Sequence, residues 1–312
     1  MKGGFALLTH PSYMEHYCGY YHPEQPSRLA AIHEELKKSG LWEAAVHIIP
    51  REAGTQDLLL CHTAEHIDRV QNAALLGRPL DPDTGTSHES WEAALRAVGA
   101  GFSAADAIAA GEIQTAFCAV RPPGHHATPE RSMGFCLFNN IALCARYIQR
   151  HHGIKRVAIV DFDAHHGNGT QEIFFEDGSV FYASIHQWPL FPGTGDRIEI
   201  GRGQGKGTTL NCPVEAGSGM EEFAGALDGE ILPALDGFDP DILLVSAGFD
   251  SHREDPLTDL GLGSSDFGRM TSILREFAQR KCGGRLISFL EGGYNLGALA
   301  RSVRAHVKAL AQ

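Results

Sequence analysis

Two rhythms of hydrophobic positions alternate along this chain. Short unbroken apolar runs at 5–8, 115–120, 157–160, 180–185, 242–245 and 286–290 have the length and composition of strands buried on both faces. Stretches with helical spacing at 29–36, 56–76, 89–110, 139–152, 169–176, 220–235, 265–281 and 297–311 fall between or after them. Ser27 stands where the first helix needs an N-cap, and 56–76 reads as one or two short helices. Strands alternating with helices predict an α/β fold with a mostly parallel sheet flanked by helices on both faces. No linker, repeat or low-complexity segment divides residues 1–312, so a single domain is expected.

The polar clusters are not scattered. From residue 115 onward each apolar run empties into one: Arg121-Pro122-Pro123-Gly124-His125-His126, Asp161-Phe162-Asp163-Ala164-His165-His166, His186, Asp250-Ser251-His252, and Glu291-Gly292-Gly293-Tyr294. Ligands of open α/β sheets bind beyond the carboxyl ends of the strands, so these loops are expected to build one site. Asp161, Asp163 and His165 alternate, which in an extended chain points them to the same side. A solvated Asp/His turn is the plainer reading. A divalent-metal site is favoured because Asp250, after the small-residue turn Ser246-Ala247-Gly248, offers a third ligand with Asp163 and His165. Three protein ligands leave a coordination position open, as in catalytic rather than structural zinc sites.

Amide hydrolysis also needs a base for water and an acid for the leaving nitrogen, and the pair His125-His126 suits both. Each imidazole wants a partner on its far nitrogen, for which Asp161 and Asn168 are candidates. Tyr294 can donate its phenol to a developing oxyanion. Phe135 and Phe191 sit in loops, where they line a slot for an aliphatic chain or pack beneath the loop. The His-rich loop at 10–29 and the acidic stretch at 79–87 read equally as a functional rim or as plain surface.

Composition narrows the partners. Lys and Arg number 26 against 38 Asp and Glu, a formal charge of −12, so no basic footprint for nucleic acid is present. Seven cysteines at 18, 61, 118, 136, 144, 212 and 282 include no CxxC pair, which fits a reducing cytoplasm. The first residues lack the apolar run of a signal peptide, and no stretch approaches the length of a membrane span. Self-association as a homo-oligomer is compatible with the sequence.

Six motifs in order, from the Arg121–His126 stretch through Met133-Gly134-Phe135-Cys136, Asp161–Thr170, Phe191-Pro192-Gly193-Thr194-Gly195 and Ala247–Asp250 to Glu291–Tyr294, resemble the zinc-dependent histone deacetylase family. The likeness begins at His22-Pro23-Glu24, covers nearly the whole chain and is strongest to class II-like enzymes and bacterial histone deacetylase-like amidohydrolases. It implies an arginase-like fold and removal of acyl groups from lysine or a small acylated amine. It implies Zn2+ on Asp163, His165 and Asp250, His125 and His126 as acid/base pair, Asp161 orienting His125, and Tyr294 polarising the carbonyl. Asn168 stands where class I enzymes carry a second Asp. Gly134, Phe135, Phe191, Leu257 and Gly292 would contact substrate. A K+ ion would bind Asp161, Asp163, Ser184 and the main chain of His165 and Ile185, and a second would bind near Phe174, Asp177 and Val180. Leu257 replaces the acidic gatekeeper of acetylpolyamine-specific relatives, which argues against selection of an internal cation. An acetylpolyamine deacetylase, an inert acyl-binding protein and a binuclear manganese ureohydrolase are the competing readings; the last lacks carboxylates at His166 and Ser251-His252. The residues do not choose between zinc and Fe(II).

Overall fold

The computed structural model describes residues 4–312. Eight strands form one sheet: β1 (Gly4–Leu8), β2 (Val46–Ile48), β3 (Ile113–Cys118), β4 (Val157–Asp161), β5 (Val180–Gln187), β6 (Thr209–Val214), β7 (Ile242–Ala247) and β8 (Leu286–Leu290). Their order is β2-β1-β3-β8-β7-β4-β5-β6, and every neighbouring pair is parallel. The α/β architecture with a parallel sheet is therefore as expected. Six strands coincide with the apolar runs. The other two, β2 and β6, are the edges. Val46–Ile48 is short and largely exposed, and Thr209–Val214 contains Asn211 and Pro213 and is only partly buried. Edge strands tolerate such residues because one side of the ladder is unpaired, and so they lack the buried signature.

The strands that empty into polar clusters are β3, β8, β7, β4 and β5, which are consecutive in the sheet. Register then aligns their ends: Asp161 pairs with Ser184 on one side and Ser246 on the other, and Ser246 pairs with Phe289. The candidate residues of these loops thus meet over the middle of one sheet edge.

Helices cover both faces. Neighbouring residues of a strand point to opposite sides. On β8, Ser288 meets His306 of the helix Leu296–Leu310 at 2.9 Å. Phe289 instead faces the helix Ser90–Ala109, where a Cβ at Gly101 would lie 2.7 Å from its ring. That Ala-rich helix packs as closely as its composition requires. Residues 55–76 resolve into two helices, Thr55–Leu58 and Ala64–Leu76. The segment read as one helix at 220–235 runs as Met220–Ala226, a wide turn at Leu227–Ile231, and Leu232–Phe238. Pro233 explains the widening, since it has no N–H to return to the preceding turn. Among the described residues no helix is long and apolar enough to cross a membrane.

His306 joins three elements. Its ring nitrogens lie 2.6 Å from the Thr271 hydroxyl and 2.9 Å from that of Ser288, and burial lowers its pKa to about 3. The folded chain keeps it neutral while the unfolded chain protonates it below its ordinary value near 6.5. Its contribution to stability is therefore complete above that pH and is lost as pH falls toward 3. Urea denaturation of His306→Gln from pH 6 to 4 is expected to show a pH slope shallower than wild type by about 1.4 kcal/mol per unit, one proton's worth. An unchanged slope would mean that this histidine does not titrate on unfolding.

Candidate metal centre and active site

Backbone geometry at the end of β4 holds the alternating residues in place. Asp161 Oδ1 accepts the N–H of Asp163 at 3.1 Å, and Asp163 Oδ1 accepts that of His165 at 2.9 Å. The other Asp163 oxygen accepts Gly292 N–H at 2.8 Å, and Asp250 Oδ1 accepts Ala164 N–H at 2.9 Å. His165 Nδ1 lies 3.1 Å from Asp163 Oδ1, two residues away, and 3.0 Å from Asp250 Oδ2, 85 residues away. One atom from each of the three residues lies within 4.8 Å of the others.

Two glycines make this convergence feasible. A Cβ at Gly248 would sit 2.0 Å from Asp163 Oδ2, and one at Gly292 would sit 2.2 Å from Asp250 Oδ2. Asp163 and Asp250 are both buried, an arrangement costly without compensating positive charge. Burial opposes a charge on His165, yet Asp163 and Asp250 raise its pKa to about 10. The same negative charges, with one imidazole, fit a divalent cation.

The two histidines that follow β3 have different partners. His125 Nδ1 lies 3.0 Å from Asp161 Oδ2, which also accepts the Tyr182 hydroxyl at 3.2 Å. Burial disfavours the charged ring, but Asp161 and Asp163 outweigh it and raise the pKa to about 10. His126 Nδ1 lies 2.9 Å from Asn168 Oδ1. An amide oxygen only accepts, so this bond assigns the proton to Nδ1 and leaves a lone pair on Nε2. Burial, with His125 and His165 nearby, pushes the His126 pKa well below its ordinary value. The ring centroids are 4.0 Å apart, with a carboxylate behind one imidazole and an amide oxygen behind the other.

Loops supply the walls. The Phe191 ring lies 5.1 Å from His126, and Phe135 lies 5.7 Å from Tyr294. Gly134 has φ +54°, and a Cβ there would meet the His126 ring at 2.4 Å. Phe191 and Leu257 are 42% and 38% exposed, which puts both at the surface end. Of the proposed monovalent-cation residues, Asp161, Ser184 and Ile185 are adjacent on β4 and β5. Phe174 and Asp177 lead up to Val180, the first residue of β5, and the Arg146 guanidinium lies 4.7 Å over the Phe174 ring and pairs with Asp177.

Several supporting groups escaped the sequence reading. Glu291 accepts Gly124 N–H at 2.7 Å, His125 N–H at 3.3 Å and the Ser246 hydroxyl at 3.2 Å, tying the His125 turn to β7 and β8. Arg28 donates to the carbonyls of Gly293 at 2.7 Å and Glu291 at 2.5 Å, with its guanidinium 5.0 Å over the Tyr294 ring. Glu24 joins Arg28 at 3.2 Å to Arg121 at 2.6 Å. His16, Cys18 and Glu24 also converge like metal ligands. There, however, two guanidiniums already neutralise the carboxylate: burial would raise the Glu24 pKa, and Arg121 holds it far below the carboxylate range. That knot is an ion-pair network. Breaking such a buried pair typically costs about 3–5 kcal/mol.

Residues 22–310 match the family model of the histone deacetylase domain. The chain belongs to the histone deacetylase family. "Histone deacetylase 10, chloroplastic" of Oryza sativa subsp. japonica is 42% identical over 302 residues, covering 90% of this chain and 68% of that one. A "Probable deacetylase" of Archaeoglobus fulgidus is 39% identical over 297 residues, covering 94% and 82%. "Polyamine deacetylase HDAC10" of Homo sapiens is 38% identical over 301 residues, covering 92% and 44%. The solved structure of the HDA15 HD domain superposes with a TM-score of 0.94 at 38% identity, covering 99% of this chain and 90% of that one. A deacetylase or amidohydrolase activity goes with this family, and the sheet is the arginase/deacetylase type.

Proposed function

We propose that the protein is a zinc-dependent amidohydrolase that removes acetyl-type groups from the ε-amine of lysine or a similar acylated amine. One observation carries the reading: Asp163, His165 and Asp250 converge within 4.8 Å beside His125 and His126, whose Nδ1 atoms are held by Asp161 and Asn168. A divalent metal on those three residues would supply Lewis acidity, lowering the pKa of water and polarising the acyl carbonyl. His126, neutral and with Nε2 free, takes the proton from the attacking water. His125, its Nδ1 held by Asp161, faces the acyl oxygen and completes the acid/base pair that delivers a proton to the departing amine. Tyr294 donates its hydroxyl to the same oxygen. Phe135 and Phe191 sheathe the aliphatic part of the acylated side chain, with Gly134 and Gly292 allowing close approach. The K+ positions named above would brace β4 and β5 from behind. We treat residues 1–312 as one catalytic domain without nucleic-acid contacts.

Two features bear on substrate and compartment. Leu257 at the rim presents no charge to an internal ammonium, which favours acyl-lysine over acetylpolyamines. All seven cysteines are free, six of them buried, which fits a reducing compartment. The cytoplasm satisfies this, and so does the chloroplast, where the rice relative's name places that protein.

The test is hydrolysis of acetyl-lysine, trifluoroacetyl-lysine and longer acyl-lysine peptides beside acetylputrescine and acetylspermidine, each with and without a hydroxamate chelator. Chelator-sensitive cleavage of the lysine substrates is expected. Preference for polyamines would keep the chemistry and overturn the substrate. Absence of any turnover by metal-loaded protein would favour an acyl-binding protein.

A further inference from the structure

The loop that carries Tyr294 has little of its own to hold it. Gly293, immediately before the tyrosine, has φ +117°, a conformation that side-chain-bearing residues rarely adopt. Immediately after it, Asn295 turns its side chain forward to cap the helix Leu296–Leu310, accepting Ala298 N–H at 3.0 Å. The backbone N–H of Tyr294 is taken up from outside this loop. Asp255 Oδ2 accepts it at 2.7 Å and accepts Asn295 N–H at 3.4 Å. The other Asp255 oxygen accepts Leu257 N–H at 3.0 Å.

Asp255 is itself buried and fixed, donating its own N–H to the His252 carbonyl at 2.8 Å. Its segment is further closed on the metal-ligand turn by the Thr258 hydroxyl, which donates to the Asp250 carbonyl at 2.5 Å. One carboxylate therefore bridges two loops that are 37 residues apart between Leu257 and Tyr294.

We propose that Asp255 is a positioning residue that sets where the Tyr294 phenol stands and ties that position to the rim residue Leu257. The inference rests on the deacylase reading of the site. The carboxylate accepts at both ends, whereas an amide presents one oxygen and one NH2. Asp255→Asn therefore turns a donor toward either Leu257 N–H or Tyr294 N–H, nearly without change of shape. The Arg28 and Asp163 anchors of the loop remain, but the bond nearest the tyrosine is lost, and displacement of a catalytic group by about 1 Å costs on the order of 100-fold in rate.

The experiment is a double-mutant cycle on the metal-loaded full chain with an acetyl-lysine peptide, reading kcat, KM, bound metal and melting temperature for wild type, D255N, Y294F and the double variant. D255N is expected to lower kcat by about 10- to 100-fold with metal retained and KM little changed. In the Y294F background the same change should cost no more than about threefold, because the group it positions is already disabled. A general packing defect would instead multiply through in full, and that result overturns the proposal. So does a D255N kcat within about threefold of wild type, or loss of metal, which would place the effect at Asp250. If D255N fails to fold, Asp255→Glu takes its place, and a wild-type kcat in that variant overturns the proposal equally. Absence of wild-type turnover defeats the deacylase reading and this inference together, whereas the other outcomes defeat this inference alone.

Discussion

Asp250→Ala is expected to lose bound metal and hydrolysis together, with catalysis falling to background. On the proposed reading the carboxylate would supply one of three ligands, and two from Asp163 and His165 would be too few for a site that keeps a coordination position open. The variant should nevertheless fold. Asp250 carries a buried negative charge; burial and the neighbouring Asp163 both push its pKa up, so its removal relieves repulsion. What it gives up is the hydrogen bond from Ala164 N–H and the contact with His165. Those opposing effects predict a melting temperature close to that of chelator-treated wild type. Added zinc should then separate the two proteins. It stabilises wild type by roughly 2.7 kcal/mol at a hundredfold excess over Kd and leaves the variant unchanged. Metal analysis and melting curves with and without zinc check both parts. An unchanged metal content would remove Asp250 from the ligand set.

How much of this was legible beforehand depends on range. The candidate polar donors were readable because local alternation at Asp161, Asp163 and His165 needs only the geometry of an extended chain. Their meeting with Asp250 and Tyr294 was readable because each follows a buried strand and such strand ends share one edge of the sheet. The consecutive placement of those strands could not be read, since strand order depends on crossovers that leave no mark in periodicity. The edge strands Val46–Ile48 and Thr209–Val214 were missed for a different reason, their partial exposure.

The supports were hardest to see. Glu291 was visible as a residue at a strand end, but its bonds to Gly124 and His125 span 167 and 166 residues. Arg28 reaches the carbonyls around Gly292 from 265 and 263 residues away. A buried charge far from its partner looks, in sequence, like any other charge. The acidic rim stretch gained a concrete contact only in three dimensions, where Thr84 accepts Phe135 N–H at 3.2 Å.

Tyr294→Phe is expected to do the reverse of Asp250→Ala, keeping metal and stability while losing turnover. Among the described residues the Tyr294 hydroxyl has no hydrogen-bond partner, so its removal breaks nothing in the resting fold. Its ring stays held between Phe135 at 5.7 Å and the Arg28 guanidinium at 5.0 Å, contacts that phenylalanine repeats. A donor without a partner, on a side chain that feels the charges of Asp250 and Asp163, is available to an arriving acyl oxygen. Losing one such donor costs about 100- to 1,000-fold in kcat, or 2.7–4 kcal/mol. The melting temperature should move by no more than about a degree or two, since a buried group is not left unpaired. Burial raises the phenol pKa well above its ordinary value, so the hydroxyl remains a proton donor wherever a free tyrosine would. The alkaline limb of wild-type activity should therefore not report Tyr294, and the Phe variant should keep that limb while its plateau falls. Kinetics across pH with metal analysis at each point test this. Turnover near wild type in Tyr294→Phe would take the phenol out of the chemistry, while loss of metal would make it a structural support of the ligand cluster instead.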